Sequence, residues 1–195
     1  MDEKVTINIS ARHVHLTKES IDALFGHDLH VKKFLNQKGQ FASNDVVTIK
    51  CGDKKFENVR VVGPARSYNQ VEISALDARN LGINPPVRKS GDLSGAETIT
   101  IETDKGSITG AFAIIADRHV HFGPEDAQKY DVKDGDFLML YIGGVKPGVI
   151  GVHAKVSDDG YFEAHLDTDD ANAFLIKSGF VGVLKKWVLI LERLR

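Results

Sequence analysis

The tetrapeptide Arg-His-Val-His occurs twice in this chain, at 12–15 and at 118–121. Four of the eight histidines lie in these two copies, so imidazole is concentrated at two points. In an extended strand, side chains alternate between faces at about 3.3 Å per residue, which sets the two imidazoles of His-x-His on one face, roughly 6–7 Å apart at Cβ. In a helix the same two rings would point nearly opposite ways. On a strand, both rings can tilt onto one ion, and neutral imidazole suits borderline metals such as zinc. One His-x-His is a weak signal, since unrelated strand histidines produce it too. A second copy in a matching context constrains the chain to two similar halves.

The context does match. Val5, Ile7 and Ile9 alternate with polar residues, predicting a half-buried strand that runs into His13-Val14-His15. Thr17 then reads as a helix N-cap and Gly26 as the stop. In the second half, Ile114-Ile115 leads into His119-Val120-His121, and Pro124 with Glu125 and Asp126 opens a helix. Between these units the pattern predicts short strands at 46–50, 56–62, 70–73, 98–102 and 107–115, with a helix at 75–81 capped by Ser74 and ended by Gly82. After the second unit it predicts strands at 137–142, 149–156 and 160–166, then a helix from the Asp167 region to about Ile176, ended by Gly179, and a closing strand at 187–191. Residues 27–44 read as loop, with His27 and His30 as solvated side chains rather than ligands. Many short strands, Gly-rich turns and only short helices predict a mainly β chain: two β-barrels related by duplication and capped by short helices.

The repeat also supplies third ligands. Glu72 and His165 each end a predicted strand just before a capped helix, and each is followed shortly by Asp-Ala, at Asp77 and Asp170. Aligned in this way, Glu72 takes the place of His165. One site is then His13, His15 and Glu72, and the other is His119, His121 and His165. Three protein ligands leave a position open for water or substrate, the pattern of catalytic rather than structural zinc.

The remaining features exclude more than they assign. A length of 195 residues allows one large domain or two small ones, and 42% apolar residues suffice for a core. A net charge of -2 gives no electrostatic case for nucleic acid or an anionic membrane. The N-terminus lacks the basic start and apolar run of a signal peptide, and no apolar stretch is long enough to span a bilayer. Cys51 is the single cysteine, which makes an internal disulfide impossible and a reducing compartment the default. No histidine lies near it in sequence, so it reads as a strand residue, not a nucleophile. Arg12 and Arg118 point away from the histidines by alternation and read as ion-pair partners.

At these residues the chain resembles the PduL-type phosphate acyltransferases, the phosphotransacylase or phosphate propanoyltransferase family. The resemblance runs from about Ile7 to Ala173. It rests on both Arg-His-Val-His copies, Gly-Pro-x-Arg-Ser (63–67) with Gln-Val-Glu-Ile-Ser (70–74), Asp-Ala-Arg-x-Leu-Gly (77–82), Arg-x-Ser-Gly (88–91), and His-x-Asp-Thr-Asp-x-Ala-Asn-Ala (165–173). It implies exchange of coenzyme A and phosphate on a short acyl group, so that acetyl-CoA or propanoyl-CoA plus phosphate gives acyl phosphate plus CoA. It implies two zinc ions per active site, on the two ligand sets above, and a phosphate contact from Arg66. It also implies a homodimer and interleaved domains, 12–117 and 1–11 plus 118–195, with the first strand joining the second barrel. The CoA-contacting residues do not carry over. Microcompartment members of the family have an amphipathic targeting helix before the first strand. Only four residues precede Val5 here, which predicts a free cytoplasmic enzyme.

Two other readings compete. A binuclear zinc hydrolase also uses His-x-His, but such sites usually add Asp-His shortly after, where this chain has Leu16-Thr17. A non-catalytic tandem-barrel binding module with structural metals would show closed sites and no CoA binding.

Overall fold

The computed structural model describes residues 2–186. The predicted closing strand at 187–191 lies outside them. In chain order the elements are β1 (Asp2–Ser10), β2 (His13–His15), α1 (Lys18–Phe25), β3 (Val31–Phe34), β4 (Phe41–Cys51), β5 (Lys54–Gly63), β6 (Gln70–Ile73), α2 (Ala75–Leu81) and β7 (Val87–Arg88). They continue as β8 (Glu97–Glu102), β9 (Ser107–Ala116), β10 (His119–Phe122), α3 (Pro124–Tyr130), β11 (Phe137–Ile142), β12 (Gly148–Val156), β13 (Glu163–Asp167), α4 (Thr168–Phe174) and β14 (Phe180–Lys186).

The chain divides into two compact units, Ser10–Asp117 and Met1–Ile9 with Arg118–Arg195. The first contains a closed ring of six strands, β4-β5-β2-β6-β9-β8, with β8 pairing back onto β4 and with β3 and β7 appended. The second is a closed barrel in the order β1-β13-β10-β12-β11-β14, shut by antiparallel pairing of β1 with β14. The mainly β, two-barrel expectation therefore holds. Closure leaves neither ring with an open edge of its own.

The two rings follow one plan. Each His-x-His strand pairs parallel to the second arm of a long hairpin, β2 with β5 and β10 with β12. On its other side each pairs antiparallel to the strand that bears the third candidate ligand, β2 with β6 and β10 with β13. The strand that precedes each His-x-His in sequence belongs to the other unit's ring. Thus β1 runs into β2 but pairs with β14, while β9 runs into β10 but pairs with β6 and β8.

Period-two burial builds both interiors. Val5 and Ile7 on β1, Ile99 and Ile101 on β8, and Leu138, Leu140 and Ile142 on β11 are buried, while intervening residues such as Thr6, Thr98 and Tyr141 are exposed. Val14 and Val120, the middle residues of the two motifs, are fully buried, each in its own core. That pins the register of each motif, because a slip of one residue would turn the histidines inward.

The helices start where the sequence predicted. Thr17 caps α1, and Asp167 caps α4 by accepting the Asp170 N–H at 2.8 Å. Ser74 and Asp77 form a reciprocal capping box on α2. Asp77 also receives a two-pronged bond from Arg12, Nε to Oδ2 at 3.0 Å and Nη2 to Oδ1 at 2.6 Å. Arg118 Nε donates to Asp170 Oδ2 at 2.8 Å, so both arginines are the ion-pair partners expected. Removing the buried partner of a charge pair costs about 3–5 kcal/mol when the remaining charge is trapped. The Arg12 side chain is 40% exposed and can turn to water. For Asp77→Ala we therefore expect the lower figure of about 2 kcal/mol, with loss of the cap included. A urea midpoint unchanged from the parent would refute this.

Candidate metal centres

The antiparallel pairings of β2 with β6 and of β10 with β13 place the third candidate ligands beside the imidazoles. His13 stands opposite Glu72 across β2 and β6, and His119 stands opposite His165 across β10 and β13. Cross-strand neighbours are the closest side chains a sheet offers. The result is two clusters, His13/His15/Glu72 and His119/His121/His165, each offering one donor atom per residue with all donors within 4.8 Å of one another.

In the first cluster, His13 Nε2 is 3.5 Å from Glu72 Oε2 and His15 Nε2 is 3.7 Å from Glu72 Oε1. The two rings stand edge to face, 5.0 Å between centroids. Ligands of one tetrahedral zinc lie about 3.3 Å apart, given metal–ligand bonds near 2 Å. Both Nδ1 atoms are occupied by backbone carbonyls, His13 on Ala11 at 2.9 Å and His15 on Val62 at 3.0 Å. Each carbonyl accepts an Nδ1–H, which turns each Nε2 toward Glu72. His15 is held neutral, its pKa pushed down to about 4 by burial and then by the charge of His13. Neutral imidazole is the form that ligates.

In the second cluster, His119 Nε2 and His121 Nε2 approach to 3.1 Å, and the His121 and His165 centroids are 4.7 Å apart. His121 is pushed down to about 2, chiefly by burial and then by His119 and His165. Its Nδ1 is buried without a hydrogen-bond partner among the described residues. Three imidazole donors converging in this way fit a borderline divalent ion.

Arg66 lies beside the first cluster. Its charge is among the influences that hold His15 neutral. It follows the Gly63-Pro64 turn after β5, and its N–H donates to Leu16 carbonyl at 2.8 Å. Its Nη2 donates to Gln40 Oε1 at 2.7 Å, while Nε is buried with no partner among the described residues. A guanidinium held at one end with an unused donor at the other is suited to an anion.

Several side chains around these clusters escaped the sequence reading. Gln70 is fully buried and donates to Glu72 Oε1 at 2.6 Å and to Ser90 Oγ at 2.9 Å. Its own oxygen accepts the Gly91 N–H at 2.8 Å, so it ties the carboxylate to the 88–91 loop. The equivalent position in the other barrel is Glu163, since Gln70 faces His15 and Glu163 faces His121. Glu163 Oε1 and the Tyr161 hydroxyl each lie 3.0 Å from His165 Nε2, and Asn8 Nδ2 donates to the same Glu163 oxygen at 3.0 Å. Tyr161 stacks on His121 at 5.1 Å, and burial, then Glu163, raises its pKa. The repeat held the signal: Gln70-Val-Glu72 aligns with Glu163-Ala-His165. Each unit therefore carries one carboxylate at its cluster, as a candidate ligand in one and as a neighbour of a candidate ligand in the other.

Cys51, at the end of β4, packs against the core of its barrel. Among the described residues, no helix is long and apolar enough to cross a membrane.

The family model for phosphate propanoyltransferase matches residues 6–177. The phosphate propanoyltransferase of Thermotoga maritima is 42% identical over 180 residues, covering 90% of this chain and 86% of that protein. That of Priestia megaterium is 45% identical over 184 residues, covering 92% and 85%. The paired-barrel plan and its two histidine clusters thus sit in a chain that belongs, along nearly its whole length, to the phosphate propanoyltransferase family of acyltransferases.

Proposed function

We propose that this chain exchanges coenzyme A and inorganic phosphate on a short acyl group, with zinc held by each histidine cluster. The observation that carries the reading is Arg66: a half-buried guanidinium with an unused donor beside a two-imidazole, one-carboxylate cluster. A phosphate oxygen attacks the thioester carbonyl carbon, the C–S bond breaks, CoA leaves as its thiolate, and acyl phosphate forms. Arg66 grips the phosphate through two N–H donors and carries a charge that does not titrate. Gln40 fixes the far edge of that fork. His13, His15 and Glu72 form one metal seat and His119, His121 and His165 the other. Zinc would supply a Lewis acid for the carbonyl and a soft partner for the leaving sulfur. Gln70 keeps Glu72 aimed at its imidazoles. Direct attack is favoured over an acyl-enzyme because Cys51 packs against a barrel core. The family resemblance further supports a homodimer, and the single cysteine a reducing compartment such as the cytoplasm; size-exclusion with light scattering and cell fractionation would test these.

The test is release of free CoA from acetyl-CoA, propanoyl-CoA and butanoyl-CoA, with and without phosphate. Phosphate-dependent release establishes the transfer and ranks the acyl groups, while equal release without phosphate would mean a hydrolase. No release despite bound metal would mean a binding module. Arg66→Ala should lower kcat/KM for phosphate by about 10²–10³, the cost of removing one preorganised donor group. Its CoA-ester KM should change far less. An unaltered phosphate dependence in Arg66→Ala would remove Arg66 from the site.

A further inference from the structure

A third group of ligand-bearing side chains lies outside both clusters. His27 and His30, between α1 and β3, and Asp45, on β4, offer donor atoms that all fall within 4.8 Å of one another. Both histidines are exposed, as expected, but they are not independent. Asp45 Oδ2 accepts the His30 backbone N–H at 2.7 Å, and Oδ1 lies 3.2 Å from His30 Nδ1. The His30 carbonyl accepts the Asn44 N–H at 2.8 Å, so His30 is fastened to β4 from both sides. Asp45 is itself held, with only 9% of its side chain exposed. The His27 ring packs on His30 at 4.5 Å and on Phe25 at 5.8 Å. The Asp28 carbonyl engages His27 Nδ1 at 2.8 Å, which leaves Nε2 as the free lone pair.

We propose that His27, His30 and Asp45 form a third divalent-cation site, of zinc or nickel type, that clasps the exit of α1 to β4. Two imidazoles and one carboxylate are a donor set that these ions accept, with the remaining positions filled by water. Three features argue for a built seat. Two of the three residues are already fixed to each other by backbone and side-chain bonds, so little ordering remains when the ion binds. The rings lie tilted at 48° with centroids 4.5 Å apart, and their donor atoms fall within reach of one ion. The clasp also stands at the base of the β3–β4 hairpin, whose first strand is exposed at all four positions and has little packing of its own. An ion here would supply cohesion that burial does not.

The site is independent of the transferase reading, and its test should be a difference. Equilibrium dialysis against micromolar zinc should show one fewer bound ion per chain in His27→Gln/His30→Gln than in the parent, whatever the other clusters hold. Zinc should also slow amide exchange at residues 27–45 in the parent and not in the variant. Asp45→Asn, which keeps the shape and removes the charge, should weaken binding at least tenfold. Equal metal content in parent and double variant, or equal exchange with and without zinc, would overturn the proposal. Both substituted histidines are exposed, so the double variant should fold; an unshifted melting temperature in chelator would check that.

Discussion

His121→Ala is expected to lose phosphate-dependent CoA release by roughly 10³, or about 4 kcal/mol of transition-state stabilisation at 1.36 kcal/mol per tenfold. The residue is 2% exposed, its Nε2 faces His119 at 3.1 Å, and its ring stacks against Tyr161. Removing one imidazole leaves two donors where the open zinc pattern needs three. Metal analysis should show one ion fewer per chain, and added zinc should not restore the rate. Because alanine also leaves a cavity, His119→Ala is the companion variant. His119 is only partly buried, so its packing loss is smaller, yet the same metal and activity should disappear. If either variant keeps a tenth of the parent rate, the second cluster is not catalytic.

Gly160→Ala should be the most damaging small substitution for stability. A Cβ there would collide with the Phe122 carbonyl oxygen and stand 2.6 Å from its carbon and 2.8 Å from the Ser157 oxygen. All three atoms are backbone, so no side chain can swing away. The same atoms form a knot of hydrogen bonds: Ser157 N–H to Phe122 at 3.2 Å, and Gly160 N–H to Ser157 at 2.9 Å. Overpacking of this kind costs about 3 kcal/mol. For a chain of this size that lowers the melting temperature by roughly 6–12 °C. Phe122 follows His121, so the displaced strand end should also weaken metal retention at the second cluster. Gly143→Ala is the control, since no atom lies within 4 Å of its Cβ position, and it should be neutral. Equal melting temperatures for the two variants would contradict the argument.

How much of this was legible in the sequence depended on what kind of signal each element carries. Alternation and caps are local, and they located the two His-x-His strands, the starts of the helices and most of the strands. The third candidate ligands came from the repeat, because a duplicated chain states the same arrangement twice. The misses have physical causes. Residues 27–44 were expected to be loop, yet β3 forms at Val31–Phe34 with no buried face, so it leaves no apolar period. Helix α4 was expected to reach about Ile176 and stop at Gly179. It stops at Phe174 because Leu175 takes the left-handed conformation at φ 53° that sequence rules assign to glycine. Strand β14 carries Gly182 in its interior, which reads as a breaker. There the glycine admits the Leu140 side chain, which a Cβ would approach to 2.8 Å. The strand predicted at 160–166 begins only at Glu163, because Gly160 is spent on the turn. Gln40, Gln70, Tyr161 and Glu163 were missed because no single-residue pattern marks a side chain whose role is to hold another.

The exchange of first strands has a genetic consequence. A primordial half chain, one strand followed by one His-x-His unit, would have sent its leading strand into a neighbour's ring and left its own ring open at that place. Such a half could not have been a self-sufficient monomer. Its smallest finished form would have been a pair of identical chains, each completing the other, as in other strand-swapped assemblies. Fusing the two copies end to end then turns a concentration-dependent partnership into an intramolecular one. From that point the two candidate metal seats were free to diverge, with Glu72 at the third position in one copy and His165 in the other. In a homomeric pair any such substitution would have struck both seats at once.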